Sequence, residues 1–98
     1  MIRVIYRWRV KPENFEAFRK TWSATTRHIH ETVPGARGSI MLRGCENTSL
    51  LVTIARWDSH AAWKAFWGNS NPREMQKMRE LGERVSVEVL EEIEDCTR

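Results

Sequence analysis

The stretch from Ser49 to Trp57 constrains this chain more than any other, because it is apolar on both of its faces. In a strand alternate side chains point to opposite sides, which places Leu50, Val52 and Ile54 on one face and Leu51, Ala55 and Trp57 on the other. A strand of that kind must be covered twice. The whole chain has 98 residues, and its helical segments suffice for only one side of a sheet. The second face therefore predicts a second copy of the chain, a homodimer with sheet packed on sheet. Size argues the same way, since a chain this short buries only about 60–65% of the surface its unfolded form exposes.

The other elements follow from periodicity and breakers. From Arg3 to Val10 the side chains alternate, with Val4, Tyr6, Trp8 and Val10 on one face and Arg3, Arg7 and Arg9 on the other, Ile5 among them; period two with β-branched and aromatic residues predicts a strand. Pro12 ends it. A helix is expected over Glu13–Thr32, with Phe15, Phe18, Trp22, Ile29 and Val33 along one stripe, and Pro34-Gly35 stops it. A second strand spans Ala36–Arg43, with Gly38, Ile40 and Leu42 sharing a face, and Gly44–Thr48 makes the turn into the third. Asp58 or Ser59 is placed to cap a short helix that carries Ala62, Trp63, Phe66 and Trp67. After Gly68-Asn69-Ser70, Asn71 opens another helix with Pro72 at its first position and Glu74 closing a capping box. Met75, Met78 and Leu81 form its buried stripe and Gly82 ends it. The last strand, Arg84–Ile93, puts Val85, Val87, Val89 and Ile93 on one face and Glu88, Glu92 and Glu94 on the other.

The order β-α-β-β-α-α-β describes one domain over residues 1–98, an α+β fold with a ferredoxin-like four-stranded antiparallel sheet and helices on one face. There the last strand pairs with the first, so its acids oppose Arg3, Arg7 and Arg9, each cross-strand pair contributing about 0.2–1 kcal/mol. The net charge of +3 comes from mixed signs, which argues against nucleic acid as a partner. The third strand also lacks the Gly- and aromatic-rich pattern of RNA recognition modules. No stretch is long and apolar enough to span a membrane, and the charged N-terminal run does not read as a signal peptide. Cys45 and Cys96 are far apart and flank no His or acidic ligand pattern, so they predict neither a disulfide framework nor a metal site but free thiols in a reducing cytoplasm.

Two stretches carry a family resemblance: Val-Ile-Tyr-Arg-Trp-Arg-Val-Lys-Pro-Glu at the first strand, and Leu-Leu-Val-Thr-Ile-Ala-Arg-Trp-Asp-Ser before the Trp/Phe-rich helix. Together they resemble the antibiotic biosynthesis monooxygenase family, and the resemblance covers nearly the whole chain. It implies a dimeric α+β barrel. It also implies one of two chemistries: cofactor-free oxygenation of electron-rich aromatics such as anthrones and quinols, or oxidative opening of haem. The haem-opening members use an Asn in the first strand, a Trp in the helix after the third strand, and a His ligand about ten residues on. Here Tyr6 stands at the Asn position, Trp67 matches the Trp, and Gln76 and Lys77 occupy the place of the His. Two of three features are missing, so the expected chemistry is the cofactor-free one, with a small aromatic and oxygen as partners.

That chemistry needs a slot for a flat ring, a group to take a proton, and donors for charge on oxygen. Tyr6 and Trp8 point toward the helix-covered face, where Trp22, Trp63 and Trp67 converge to wall such a slot; the same rings would serve equally as plain core. His60 lies one turn before Trp63, and His28 edges the same region, so His60, His28 and Tyr6 are the candidate catalytic groups. His28 and His30 are two apart on one helix and cannot share a metal. No Gly-rich phosphate loop, nucleophile elbow or metal-ligand spacing occurs, and no cofactor is expected. Three readings of function remain: a cofactor-independent monooxygenase, a non-catalytic barrel that binds a hydrophobic metabolite, and, ranked last, an RNA-binding module.

Overall fold

β1 (Ile2–Arg9) lies inside the sheet and is hydrogen-bonded along both edges, because its inward row of Val4, Tyr6 and Trp8 is the most completely buried stretch of the chain. The computed structural model describes residues 1–68 and 72–97. After β1 come a 3-10 turn at Pro12–Asn14, α1 (Phe15–Thr32), β2 (Ala36–Arg43), β3 (Leu50–Trp57), α2 (His60–Trp67), a second 3-10 turn at Arg73–Met75, α3 (Gln76–Leu81) and β4 (Glu83–Glu91). The sheet order is β2-β3-β1-β4 with every pair antiparallel. This is the expected four-stranded ferredoxin-like sheet.

Helices cover the inner face only. Ile2, Val4, Tyr6, Trp8 and Val10 from β1 meet Leu51 and Trp57 from β3 and Phe18 from α1. The Phe18 ring stands edge-on to Trp8 at 5.1 Å. Opposite the helices, Ile40 and Leu42 are 53% and 49% exposed, next to the half-buried Val52 and Ile54 with which they pair in register. The doubly apolar character of β3 therefore continues into β2, and half of the outer face is an apolar surface. The other half carries the expected ion pairs. Arg3 meets Glu92 at 2.7 Å, Arg7 meets Glu88 at 3.0 Å, and Arg9 meets Glu83 at 2.7 Å.

Several local expectations are corrected. The α-helical part of α1 starts at Phe15 rather than Glu13, because the proline-led segment first closes a 3-10 turn, a common way for a helix to begin. Pro72 precedes its helical turn instead of opening it, with extended backbone at ψ 136°; the capping role of Asn71 lies outside the described residues. Val85 and Ile93 are not on the buried face. The β1–β4 register slips between Arg7 and Trp8, so Arg84 takes the place opposite Trp8 and Val85 is left 49% exposed. Ile93 lies past the end of β4 and is 85% exposed. At α2 the cap is Ser59, whose hydroxyl accepts from the Ala62 amide at 3.1 Å. Asp58 instead accepts two hydrogen bonds from the Arg37 guanidinium, at 2.6 and 3.3 Å.

The turn from α1 into β2 uses Gly35 at φ +89°, and a bulge in β2 uses Gly38 at φ +94°. The two positions differ in their surroundings. A Cβ at Gly35 would sit 2.7 Å from the Cβ of Ala62 on α2, whereas one at Gly38 would meet nothing within 4 Å. Gly35→Ala should therefore destabilise the protein by about 2–4 kcal/mol, from overpacking added to left-handed strain. Gly38→Ala should cost only the strain, about 1–2 kcal/mol. Urea unfolding of both variants checks this, and equal losses would show that α2 shifts to accept the new methyl.

Candidate active site

Alternation along β1 sends Tyr6 and Trp8 into the helix-covered layer, where each polar tip must find a partner away from water. The Trp63 indole Nε1 donates to the Tyr6 hydroxyl at 3.1 Å, and the Trp8 indole Nε1 donates to Thr53 Oγ1 at 3.3 Å; both bonds are buried. On α2 the spacing of His60, Trp63 and Trp67 aligns their rings in one pile. His60 lies over Trp63 at 6.0 Å and 22°, and Trp63 over Trp67 at 5.2 Å and 21°. The Arg84 guanidinium closes the far end, 4.9 Å from the Trp67 ring. Tyr6 packs against Trp67 at 5.6 Å.

In front of Tyr6, between α1 and the sheet, is a half-open cavity with about 50 Å³ of accessible space. Among the described residues, Tyr6, Thr53, Ala55 and Trp57 form its sheet wall. One stripe of α1 supplies Trp22, Thr25, Thr26, Ile29 and His30. Phe66, Met75 and Met78 close the remaining apolar side, and the β2 bulge contributes Gly38 and Ser39. That space suits an oxygen molecule or a few waters. An aromatic ring needs side chains of the wall to move aside.

Tyr6 is 5% exposed, and burial pushes its phenol up to about 12, although the Trp63 hydrogen bond and the Arg84 charge both pull it down. At neutral pH the hydroxyl is therefore protonated, a hydrogen-bond donor rather than a base.

Of the residues expected from sequence, Tyr6 and Trp22 reach the cavity. Trp63 and Trp67 stand behind Tyr6 and hold it, rather than facing the open space. Trp8 is fully buried between Thr53 and Phe18 and is core. His60 is exposed at the outer end of the ring pile, and His28 is exposed on α1 with its carbonyl taken by the Thr32 hydroxyl at 2.7 Å; neither is among the cavity's lining residues. The imidazole that does line the cavity is His30. The sequence signal for it was the pair Thr25 and Thr26, which interrupts the apolar stripe of α1 at helical spacing from Trp22, Ile29 and His30. A polar break in such a stripe marks a wall that faces space rather than packing. Among the described residues no group of three or more His, Cys, Asp or Glu side chains is placed to hold a metal ion.

The chain belongs to the antibiotic biosynthesis monooxygenase family, whose sequence profile matches residues 1–80. No functionally curated protein matches it. Among solved structures it is similar to SnoaB of Streptomyces nogalater, a cofactor-independent oxygenase, with 18% identity, a TM-score of 0.76, and 99% of this chain and 97% of that one covered. It is also similar to Rv0793 of Mycobacterium tuberculosis, with 22% identity, a TM-score of 0.71 and 98% of both chains covered. At these identities the likeness is one of fold.

Tyr6 is the only tyrosine in the sequence, so phenolate absorbance reports on it alone. Titration of the folded protein should show no ionisation around pH 10 and a midpoint near 12. The unfolded chain ionises at about 10 and so binds fewer protons than the native state between the two values. Stability is thus unaffected by this group below about pH 10 and falls as pH rises toward 12, by about 2–3 kcal/mol over the window. Thermal melts of wild type and Tyr6→Phe across this range check the sign, since the variant lacks this part of the slope.

Proposed function

We propose that the protein is a homodimeric, cofactor-independent monooxygenase of the cytoplasm that oxidises a small electron-rich aromatic of the anthrone or quinol type. The observation that carries this reading is the buried Tyr6 hydroxyl at the wall of a cavity lined by Trp22, Trp57 and Phe66 and large enough for oxygen. The flat ring enters between Trp22, Phe66 and the sheet. A proton leaves the acidic ring position, and His30 at the cavity wall is the group best placed to receive it, since histidine is the side chain suited to proton transfer near neutral pH. His30 is as exposed by class as His60 and His28, but of the three it alone is among the cavity's lining residues. Tyr6 donates to the substrate oxygen on which the negative charge gathers. The anion supplies the electrons. At an anthrone-like carbon the CH2 becomes C=O, one oxygen atom stays in the product and the other leaves as water, so four electrons pass to O2 and no outside reductant is needed.

Support for the dimer comes from the apolar half of the outer face, where Ile40 and Leu42 are each about half exposed. A second copy packed sheet to sheet would cover them. Two exposed cysteines without a disulfide suit a reducing compartment.

Purified protein should consume oxygen stoichiometrically with an anthrone or quinol. Tyr6→Phe should lower the rate by about 10²-fold, the usual effect of losing one donor to a developing oxyanion. Binding of such compounds with no oxygen uptake would instead assign the protein as a ligand-binding barrel. In a separate measurement, sedimentation at micromolar concentration should give a dimer, and Ile40→Glu should shift it toward monomer. A monomeric wild type would remove the sheet-to-sheet assembly.

A further inference from the structure

The mechanism above uses one hydroxyl, yet the cavity has a second with the same construction. Thr53 lies directly opposite Tyr6 in the β1–β3 register, so both side chains project from the same face of the sheet. Both line the cavity, and Thr53 is 2% exposed. Each hydroxyl oxygen accepts a hydrogen bond from a buried indole N–H: Tyr6 from Trp63 at 3.1 Å, Thr53 from Trp8 at 3.3 Å. An indole N–H can only donate, whereas a hydroxyl has one hydrogen to give and two lone pairs to receive. The tryptophans therefore occupy acceptor capacity and leave each hydroxyl its own hydrogen. Among the described residues neither hydrogen has a protein acceptor, and the cavity lining contains no carboxylate.

We propose that Thr53 is a second hydrogen-bond donor of the cavity, that it acts beside Tyr6 to hold an ionised ligand oxygen, and that Trp8 and Trp63 are positioning residues that keep the two hydroxyls turned outward as donors. The proposal rests on the reading above that the cavity receives a phenolic ring. A buried hydroxyl pair without an acceptor binds a phenolate or enolate better than the neutral form, because only the anion gains fully from two donors. The Arg84 guanidinium near Tyr6 adds a field of the same sense. The pair thereby selects ligands by the charge on their oxygen, before any reaction with O2. Trp8, core by its burial, acquires a second task through its indole nitrogen.

The test uses 4-nitrophenol, a single ring whose ionised form absorbs visible light, titrated with pH in the absence of turnover. Bound to wild type, it should ionise at least about one pH unit lower than in free solution, the size of a hydrogen bond to a charged group. Thr53→Val and Tyr6→Phe should each raise that midpoint by about one unit, whereas Thr53→Ser, which keeps the hydroxyl, should restore it. Because Thr53→Val orphans the Trp8 N–H, the double variant Trp8→Phe with Thr53→Val, which has no orphaned donor, gives the same readout if the single variant does not fold. A Thr53→Val or double variant that ionises the bound probe as wild type does, while Tyr6→Phe does not, overturns the role of Thr53 and leaves the oxygenase reading standing. Failure of wild type to bind the probe at millimolar concentration overturns the phenol-binding cavity and this proposal with it, whereas oxygen uptake in the separate assay would still stand for the activity.

Discussion

The layer between the sheet and its helices is built largely from aromatic rings, and rings with polar tips can be buried only if those tips are satisfied inside the layer. Tyr6, Trp8 and Trp63 meet this constraint among themselves and with Thr53. That requirement fixes much else. It sets the rotation of α2, since Trp63 must reach Tyr6 while Trp67 remains stacked behind it. It keeps β1 next to β3, because the acceptor for Trp8 sits on β3. The cavity is the space left where α1 turns threonines rather than large apolar side chains toward the sheet.

The outer face follows a different rule. Over β1 and β4 it is an ionic ladder in which Glu92 serves Arg3 at 2.7 Å and Arg56 at 3.6 Å, and Asp95 adds a second partner for Arg3 at 3.2 Å. These pairs are largely solvated and contribute little each to stability, but they fix register between the first and last strands of the chain. Over β2 and β3, Arg56 apart, the same face is largely hydrocarbon. A face divided in this way has one half that tolerates water and one half that does not, so in the proposed dimer orientation on a twofold partner would be specified by chemistry as well as by shape.

Most of the fold was legible in the sequence because its signals are local: alternation in β1 and β3, the proline and glycine stops, and the serine cap of α2. What was not legible depends on contacts between distant segments. The register slip beside Trp8 exposes Val85 and delivers Arg84 to the Trp67 ring, and no pattern within β4 announces it. The same holds for the site. Tyr6 and Trp22 follow from their faces, but which of the three histidines reaches the cavity depends on how α1 and α2 pack on the sheet, which puts His30 rather than His28 on the cavity wall. Thr53 was hidden because a threonine in a buried strand looks like any β-branched residue until its cross-strand neighbour is known.

The small size of the cavity has a consequence for how tightly a ring could be held. At about 50 Å³ the space has room for oxygen but not for a whole aromatic ring, so binding a ring requires a more open arrangement of the wall. Met75 and Met78, at 5% and 2% exposure, are the buried wall residues with the most rotamers to offer. If that open arrangement is populated at about one part in a hundred, the observed affinity for every ring is about a hundredfold weaker than the intrinsic one. Rigid side chains of matching volume at these two positions would then change apparent affinity for all rings by one common factor, while leaving access of oxygen as it was.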